Sequence, residues 1–301
     1  MSDIEGFTQS MIATNGTRLS VHQGGQGVPL ILIHGYPQNH MCWSKIAPEL
    51  AKKFHCIIPD LRGYGDSDIP ENTADNQAYS KREMAKDILG LMDALGIERA
   101  HILGHDRGGR VSYRFALDHP DRLARLGIIE IVPTGDFWES WTADLALKAY
   151  HWTFLAQPAP LPERMISADG VAYMDWTLAS WTHVKSLQPF SDKALASYRK
   201  QAADPARIAA MCNDYRAGAS FDRALDNADK AEGRKIAAPL LFVWAQNGFP
   251  ANTGDPLGLW REWADDLHGI EVAETGHFAM EEVPDAVLAA VLPHFEGHPA
   301  G

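Results

Sequence analysis

His101-Ile102-Leu103-Gly104-His105-Asp106-Arg107-Gly108-Gly109-Arg110 runs from an apolar stretch through a tight polar turn into a segment of helical period. A Gly-x-nucleophile-x-Gly turn between a strand and a helix presents its central side chain on a sharp, strained bend. The flanking glycines are needed because backbone packs closely on both sides of such a bend. Here the central residue is Asp106, where a serine is the commoner occupant. A plain strand-to-helix turn could instead use Asp106 as a helix cap. Glycine-rich turns also bind dinucleotides, but Gly104–Gly109 lacks the spacing of that fingerprint. The segments on either side decide between these readings.

Upstream, residues 6–23 read as a hairpin around Asn15-Gly16, the pair that favours a type I′ turn. Leu30–Ile33 is an all-apolar run ending at His34-Gly35-Tyr36-Pro37, as expected of a strand buried on both faces. A helical period over Trp43–Lys53 is followed by a strand at Cys56–Pro59, a loop at Asp60–Asp68 and a helix at Ser80–Leu95. Past the turn, a helix at Arg110–Asp118 leads to a buried strand at Leu126–Val132. Strands alternating with helices at this spacing predict an α/β fold with a mostly parallel, doubly wound sheet.

After Pro133 the alternation stops. Residues 137–226 are helical in period and rich in tryptophan, with no strand signal. Alternation resumes with a strand at Pro239–Ala245, a helix at Leu257–Leu267, a strand at Ile270–Ala273 and a helix at Val283–His294. A helical block inserted there is expected to lie as a lid over the carboxyl ends of the strands, where ligands bind. The organisation expected is an α/β-hydrolase fold, with a core of residues 1–136 and 227–301 and a helical cap of residues 137–226.

In that fold the catalytic base follows the last strand, and His277 in Gly276-His277-Phe278 stands there, one of 13 histidines. The backbone amides of Tyr36 and Arg107 are expected to form an oxyanion hole beside Asp106. Glu130 lies inside the apolar run Ile128-Ile129-Glu130-Ile131-Val132, a costly place for a carboxylate without partners. It is the first candidate to orient His277. Asp255, beyond the strand at Pro239–Ala245, is the reserve.

A carboxylate nucleophile displaces a leaving group from saturated carbon and becomes an ester, which water then cleaves. Asp106 therefore points to carbon–halogen hydrolysis or to epoxide opening. Arg107 and Arg110, three residues apart, share a face of the first helical turn, where two cations oppose the helix dipole. A bound anion would relieve that cost, and two guanidinium forks can grip one carboxylate. An acid substrate is thus favoured over a neutral haloalkane. An epoxide hydrolase would instead need lid tyrosines, for which Tyr173, Tyr198 and Tyr215 are available. A non-catalytic ligand-binding protein would be expected to lack the nucleophile or the base, and both are present.

The 301 residues are 46% hydrophobic and 22% charged, ordinary for a soluble enzyme. No signal peptide is read at MSDIEGFTQS, and the longest apolar runs are too short to cross a bilayer. Cys42, Cys56 and Cys212 form no framework, as expected in a reducing cytoplasm without a metal site. A net charge of −12 argues against nucleic acid or an anionic membrane as partner. No cofactor is expected.

Gly104–Arg110 resembles the haloacetate dehalogenase family of α/β-hydrolases. The likeness runs on through His34-Gly35-Tyr36-Pro37-Gln38, Ile131-Val132-Pro133-Thr134, Tyr150-His151-Trp152 and Gln157-Pro158-Ala159-Pro160. It continues in Cys212-Asn213-Asp214-Tyr215-Arg216-Ala217-Gly218-Ala219 and Gly276-His277-Phe278. The resemblance implies release of fluoride or chloride from a small haloacid, a substrate-carboxylate site at Arg107 and Arg110, and a homodimer. It assigns the halide to His151, Trp152 and Tyr215, each of which offers a hydrogen-bond donor. Trp181 is a weaker candidate for a pocket wall. One position departs from the pattern: the family usually has Asp where this chain has Glu130.

Overall fold

The computed structural model describes residues 2–297 and builds them around one eight-stranded sheet. Its strands are β1 (Thr8–Ala13), β2 (Arg18–Gly24), β3 (Val28–Ile33), β4 (Phe54–Pro59), β5 (Ala100–His105), β6 (Leu123–Ile129), β7 (Leu240–Ala245) and β8 (Leu267–Val272). They lie in the order β1-β2-β4-β3-β5-β6-β7-β8. β2 pairs antiparallel with both β1 and β4, and every other neighbouring pair is parallel. Leu30–Ile33 and all of β5 are buried because helices cover both faces of the sheet there. Those are the two strands whose carboxyl ends carry Tyr36 and Asp106.

Two core helices matter for the site. α1 (Lys81–Ala94) is capped by Ser80, whose hydroxyl accepts from the Glu83 amide at 3.2 Å. α2 (Arg107–Asp118) starts directly after Asp106 and is buried along nearly its whole length. Between β6 and β7 the chain is helical, from Thr134–Glu139 to Arg223–Ala231, with no strand among the described residues. Its longest helix is α3 (Pro205–Ala217), which continues through a π-helical turn at Gly218–Asp222. The expected core segments reach residues 1 and 298–301, which lie outside the described residues.

Several local expectations are corrected. Of Asn15 and Gly16 only the glycine takes a positive φ, so the turn of the first hairpin is not type I′. The Asn15 side chain is instead pinned to α1, donating to Glu83 Oε1 at 2.7 Å and to Asp87 Oδ1 at 3.2 Å. The helix expected at Trp43–Lys53 is broken into a 3₁₀ turn at His40–Trp43 and a short helix at Ala47–Leu50. Pro48 explains the break, since it has no N–H and its ring clashes with the preceding turn. The strand expected at Leu126–Val132 starts at Leu123 and ends at Ile129, because Glu130 turns out of the sheet with φ +65°. The helix expected at Leu257–Leu267 ends at Arg261, and β8 begins at Leu267, earlier than Ile270. As an edge strand containing His268 and Gly269, β8 gives no continuous apolar run to read.

Candidate active site

Asp106 sits at φ +47°, ψ −118°, a conformation that costs an ordinary residue on the order of 1–3 kcal/mol. The bend is held by close backbone packing. A Cβ on Gly108 would lie 2.2 Å from the Ile33 carbonyl oxygen, so no larger residue fits there. The Tyr36 amide donates to Asp106 Oδ1 at 2.8 Å. The Arg107 amide heads α2, where a helix leaves its first N–H groups without internal acceptors. One carboxylate oxygen of Asp106 is thus held by the backbone, and the other, Oδ2, lies 3.9 Å from His277 Nε2.

His277 follows β8, its backbone amide bonded to the Trp181 carbonyl at 2.9 Å. Its carbonyl lies 2.8 Å from the His105 ring. Phe249, Trp181 and Phe278 pack edge-on around the imidazole. Both ring nitrogens are buried and unpartnered, and Nδ1 lies 3.9 Å from Glu130 Oε1. At that distance each contact is open by about one ångström relative to a hydrogen bond, as is common before substrate is bound. Burial holds the imidazole well below its ordinary pKa, so His277 is neutral and able to accept a proton.

Glu130 is wholly buried and its two oxygens accept from the Ala245 amide at 2.6 Å and the Phe249 amide at 2.8 Å. Burial pushes its carboxyl up to about 8, against the pull of those two N–H groups. Asp255 stands elsewhere. It is exposed and caps the helix Pro256–Arg261 by accepting from the Gly258 amide at 2.8 Å, so it is not the acid that orients His277.

The two arginines are not equivalent. Arg107 is fully buried, and its Nε donates to Asp214 Oδ1 at 3.0 Å. Its Nη2 donates to the Asp214 carboxylate and, at 2.8 Å, to the Asp214 carbonyl. Only Nη1 is left without a partner. The cost of Arg107 at the helix start is therefore already met by Asp214, which corrects the expectation that a bound anion alone would relieve it. Arg110 donates through Nη1 to the Val132 carbonyl at 2.9 Å and to Thr134 Oγ1 at 3.0 Å. No carboxylate forms an ion pair with Arg110 among the described residues, and its Nε is unpartnered. Burial accordingly lowers its pKa.

A small cavity is lined by Asp106, Arg110, His151, Trp152, Phe249 and His277, among others. Tyr215 and Trp181 stand outside that lining, in contact with His151 at ring-centroid distances of 5.6 and 4.3 Å. The Tyr215 hydroxyl and His151 Nδ1 are buried without partners, and burial keeps the His151 imidazole well below its ordinary pKa. The Arg110 guanidinium lies 4.5 Å from the Trp152 ring centre, and that of Arg107 lies 4.3 Å from the Tyr215 ring centre. These faces stabilise the cations without cancelling their charge.

The α/β hydrolase fold family matches residues 28–284. The chain belongs to the α/β-hydrolase family. It is 38% identical to a fluoroacetate dehalogenase from Burkholderia sp, over 97% of this chain and 94% of that one. This likeness places it with the haloacetate dehalogenases that its motifs resemble. It is also 34% identical to a soluble epoxide hydrolase from Corynebacterium sp. (strain C12), over 95% of this chain and 96% of that one. A solved α/β hydrolase from Nostoc sp PCC 7120 superposes with a TM-score of 0.93 at 40% identity, covering 97% of this chain and 98% of its own.

Of the lid tyrosines considered for epoxide opening, this hydrolase leaves one hydroxyl free. Tyr198 donates to Glu281 at 3.1 Å and Tyr173 accepts from the Tyr150 hydroxyl at 3.4 Å, whereas the Tyr215 hydroxyl has no partner among the described residues. No helix is long and apolar enough to cross a membrane among the described residues. His22, His40 and Asp60 are close enough to suggest a metal site, but the two imidazoles stack at 3.7 Å and 17°, so their lone pairs do not converge. Both Asp60 oxygens already accept hydrogen bonds, from His40 and from the Asp66 amide.

Asp214 is a site residue that the sequence pattern did not single out, although it directly precedes Tyr215. A buried acid beside a donor aromatic was the available signal. Phe249 carried no signal, because its contacts come from a loop that pattern reading leaves undefined.

Proposed function

We propose that this hydrolase cleaves the carbon–halogen bond of a small haloacid, with fluoroacetate or chloroacetate as the simplest substrates. The observation that carries this reading is Arg110, a guanidinium buried against the cavity beside Asp106 and in ion-pair contact with no carboxylate among the described residues. Leaving a buried cation uncompensated is costly unless the ligand supplies the opposite charge. The substrate carboxylate is held by Arg110 and by Nη1 of Arg107, which sets the halogen-bearing carbon before Asp106 Oδ2.

Oδ2 attacks that carbon, the carbon–halogen bond breaks, and the halide leaves with the bonding pair toward the donors of His151, Trp152 and Tyr215. Asp106 is then an ester whose carbonyl oxygen, Oδ1, faces the amides of Tyr36 and Arg107. His277 Nε2 takes a proton from water, and the water oxygen adds to the ester carbon. On collapse the hydroxy acid departs with Oδ2 and the proton from His277, and the water oxygen stays in Asp106. The sum is haloacid plus water giving hydroxy acid, halide and a proton. The three cysteines are buried and free, which suits a reducing cytoplasm.

Incubation with fluoroacetate and chloroacetate, with free halide and glycolate measured, tests the reading. Diol formation from an epoxide without halide release would overturn it in favour of the epoxide hydrolase relatives. The Tyr215 hydroxyl, without a partner among the described residues, is the feature that would serve them.

Arg110→Lys is expected to raise KM for chloroacetate about 10- to 100-fold, because a point charge replaces a planar fork worth roughly 1.5–3 kcal/mol. Chloroacetamide, neutral and of similar size, controls for general damage. An equal change for both compounds would count against a carboxylate site at Arg110.

Glu130 gives a pH signature. Its raised pKa means the carboxyl is largely neutral below about 8 and ionised above it. Ionised Glu130 stabilises the imidazolium formed when His277 takes its proton. Ester hydrolysis in single turnovers should therefore speed up between about pH 7 and 9. Glu130→Gln should remove that rise and slow hydrolysis about 10²- to 10⁴-fold. A wild-type rate that is flat with pH would contradict this role.

A further inference from the structure

Lys81 is an unusual place to find a lysine. It opens α1, is 2% exposed, and its ammonium donates to the same Asp214 carboxylate that holds Arg107. Asp214 also accepts from the Tyr64 hydroxyl at 2.9 Å. Lys81 and Arg107 together hold the Asp214 carboxyl down at about 2, despite a burial that works in the opposite direction. One anion is thus shared between two buried cations.

The other acids nearby do not restore the balance. Asp222 accepts from the Lys81 backbone amide at 2.9 Å and is in ion-pair contact with neither Lys81 nor Arg107 among the described residues. Asp226 and Asp229 are paired with Arg114. Ion-pair contacts therefore set two cations, Lys81 and Arg107, against the single carboxylate of Asp214, and Arg110, which lines the cavity, has none among the described residues.

The local backbone is shaped for this cluster. Asp214 and Tyr215 lie near the end of α3, and Gly218 begins the π-helical turn after it. A Cβ on Gly218 would come within 2.8 Å of Arg107 Nη2, so glycine lets the turn press directly on the guanidinium. The segment Asp214–Gly218 thus meets Arg107 with a carboxylate, an aromatic face and a bare backbone.

We propose that Lys81 and Asp214 form a buried relay that sets the site's affinity for small carboxylates through Arg107. Asp214 is the positioning residue that fixes the guanidinium. Lys81 is the second cation that prevents Asp214 from cancelling it. Without Lys81, Arg107 and Asp214 would form a neutral buried pair with little pull on an incoming anion. The substrate in this scheme rests on the haloacid reading above; the charge relay itself does not.

Two variants with opposite charge effects test the relay. Lys81→Met removes one cation, keeps an unbranched side chain one atom shorter, and should raise KM for chloroacetate about 10-fold, the scale of one partly screened charge at this range. KM for neutral chloroacetamide should change little. Lys81→Met/Asp214→Asn restores the wild-type charge balance and should bring chloroacetate KM back to within about threefold of wild type. Acetate binding by calorimetry gives the same comparison without turnover, and thermal unfolding reports on folding. If Lys81→Met does not fold, the double variant decides alone, and loss of acetate binding by about 10-fold or more would overturn the relay. Equal shifts for acid and amide, or a double variant weaker than the single, would overturn it too. Absence of halide release from wild type would sink the haloacid reading, while acetate titration would still judge the relay.

Discussion

Asp106→Asn is expected to lower halide release from chloroacetate by on the order of 10⁴- to 10⁶-fold, the scale of removing a covalent nucleophile. The amide nitrogen is a poor nucleophile toward saturated carbon, and the amide oxygen would give an unstable imidate rather than an ester. The fold should survive, because the side-chain carbonyl can still accept from the Tyr36 amide as Oδ1 does now. Thermal unfolding close to wild type is therefore part of the expected result. Acetate should bind at least as tightly as before, since Arg107 and Arg110 are untouched and the negative charge of Asp106 is gone. Slow deamidation would return some Asp, so the assay needs freshly purified protein and mass spectrometry of the elbow peptide. Halide release at a wild-type rate from the intact, undeamidated Asp106→Asn variant would remove Asp106 from the mechanism.

His277→Asn separates the two halves of the reaction. The displacement at carbon needs no base, because Asp106 attacks as an anion. One equivalent of halide should be released per site, after which turnover should fall by on the order of 10³-fold or more. The Asp106 peptide should then be heavier by the acid fragment. Asn is shorter than His and leaves space between Phe249, Trp181 and Phe278, which now enclose the ring. Some loss of stability is expected, so the burst of halide must be normalised to folded protein. Continued turnover at high rate would mean that another group activates the water. Neither Glu130 nor Asp106 could easily do so, since the first is tied to two backbone amides and the second is esterified.

The sheet was legible because its central strands are short runs with apolar residues on both faces, and the elbow was legible because its glycines are imposed by backbone contact. Glu130 stood out as an acid inside an apolar run, and the same feature misled the strand assignment. Its positive φ ends β6 at Ile129, so Ile131 and Val132, although apolar, lie beyond the strand. Pattern reading continues a strand through apolar residues and cannot see a change of backbone direction. Asp255 looked like a reserve acid only by position along the chain; its partner is three residues away, in the helix that it caps. The pairing of Arg107 with Asp214 could not be read at all. The two residues are 107 positions apart and meet only because the inserted helices seat on the core.

That seating has a kinetic consequence. α3 belongs to the insert and brings Asp214 and Tyr215, whereas Lys81, Arg107 and Asp106 stand on the core. Raising α3 by a few ångströms would unmake the guanidinium's anchor and withdraw the Tyr215 hydroxyl in one movement, yet leave Asp106 in place. An electrophile arriving then would find Asp106 with nothing to align the carbon or to receive the leaving group. Self-alkylation by stray reactive compounds would be slow in that posture, and productive cleavage would be confined to the moments when the two parts of the chain are locked together. Substitutions far from the cavity that loosen the insert should therefore lower turnover and protect the enzyme from inactivation at the same time.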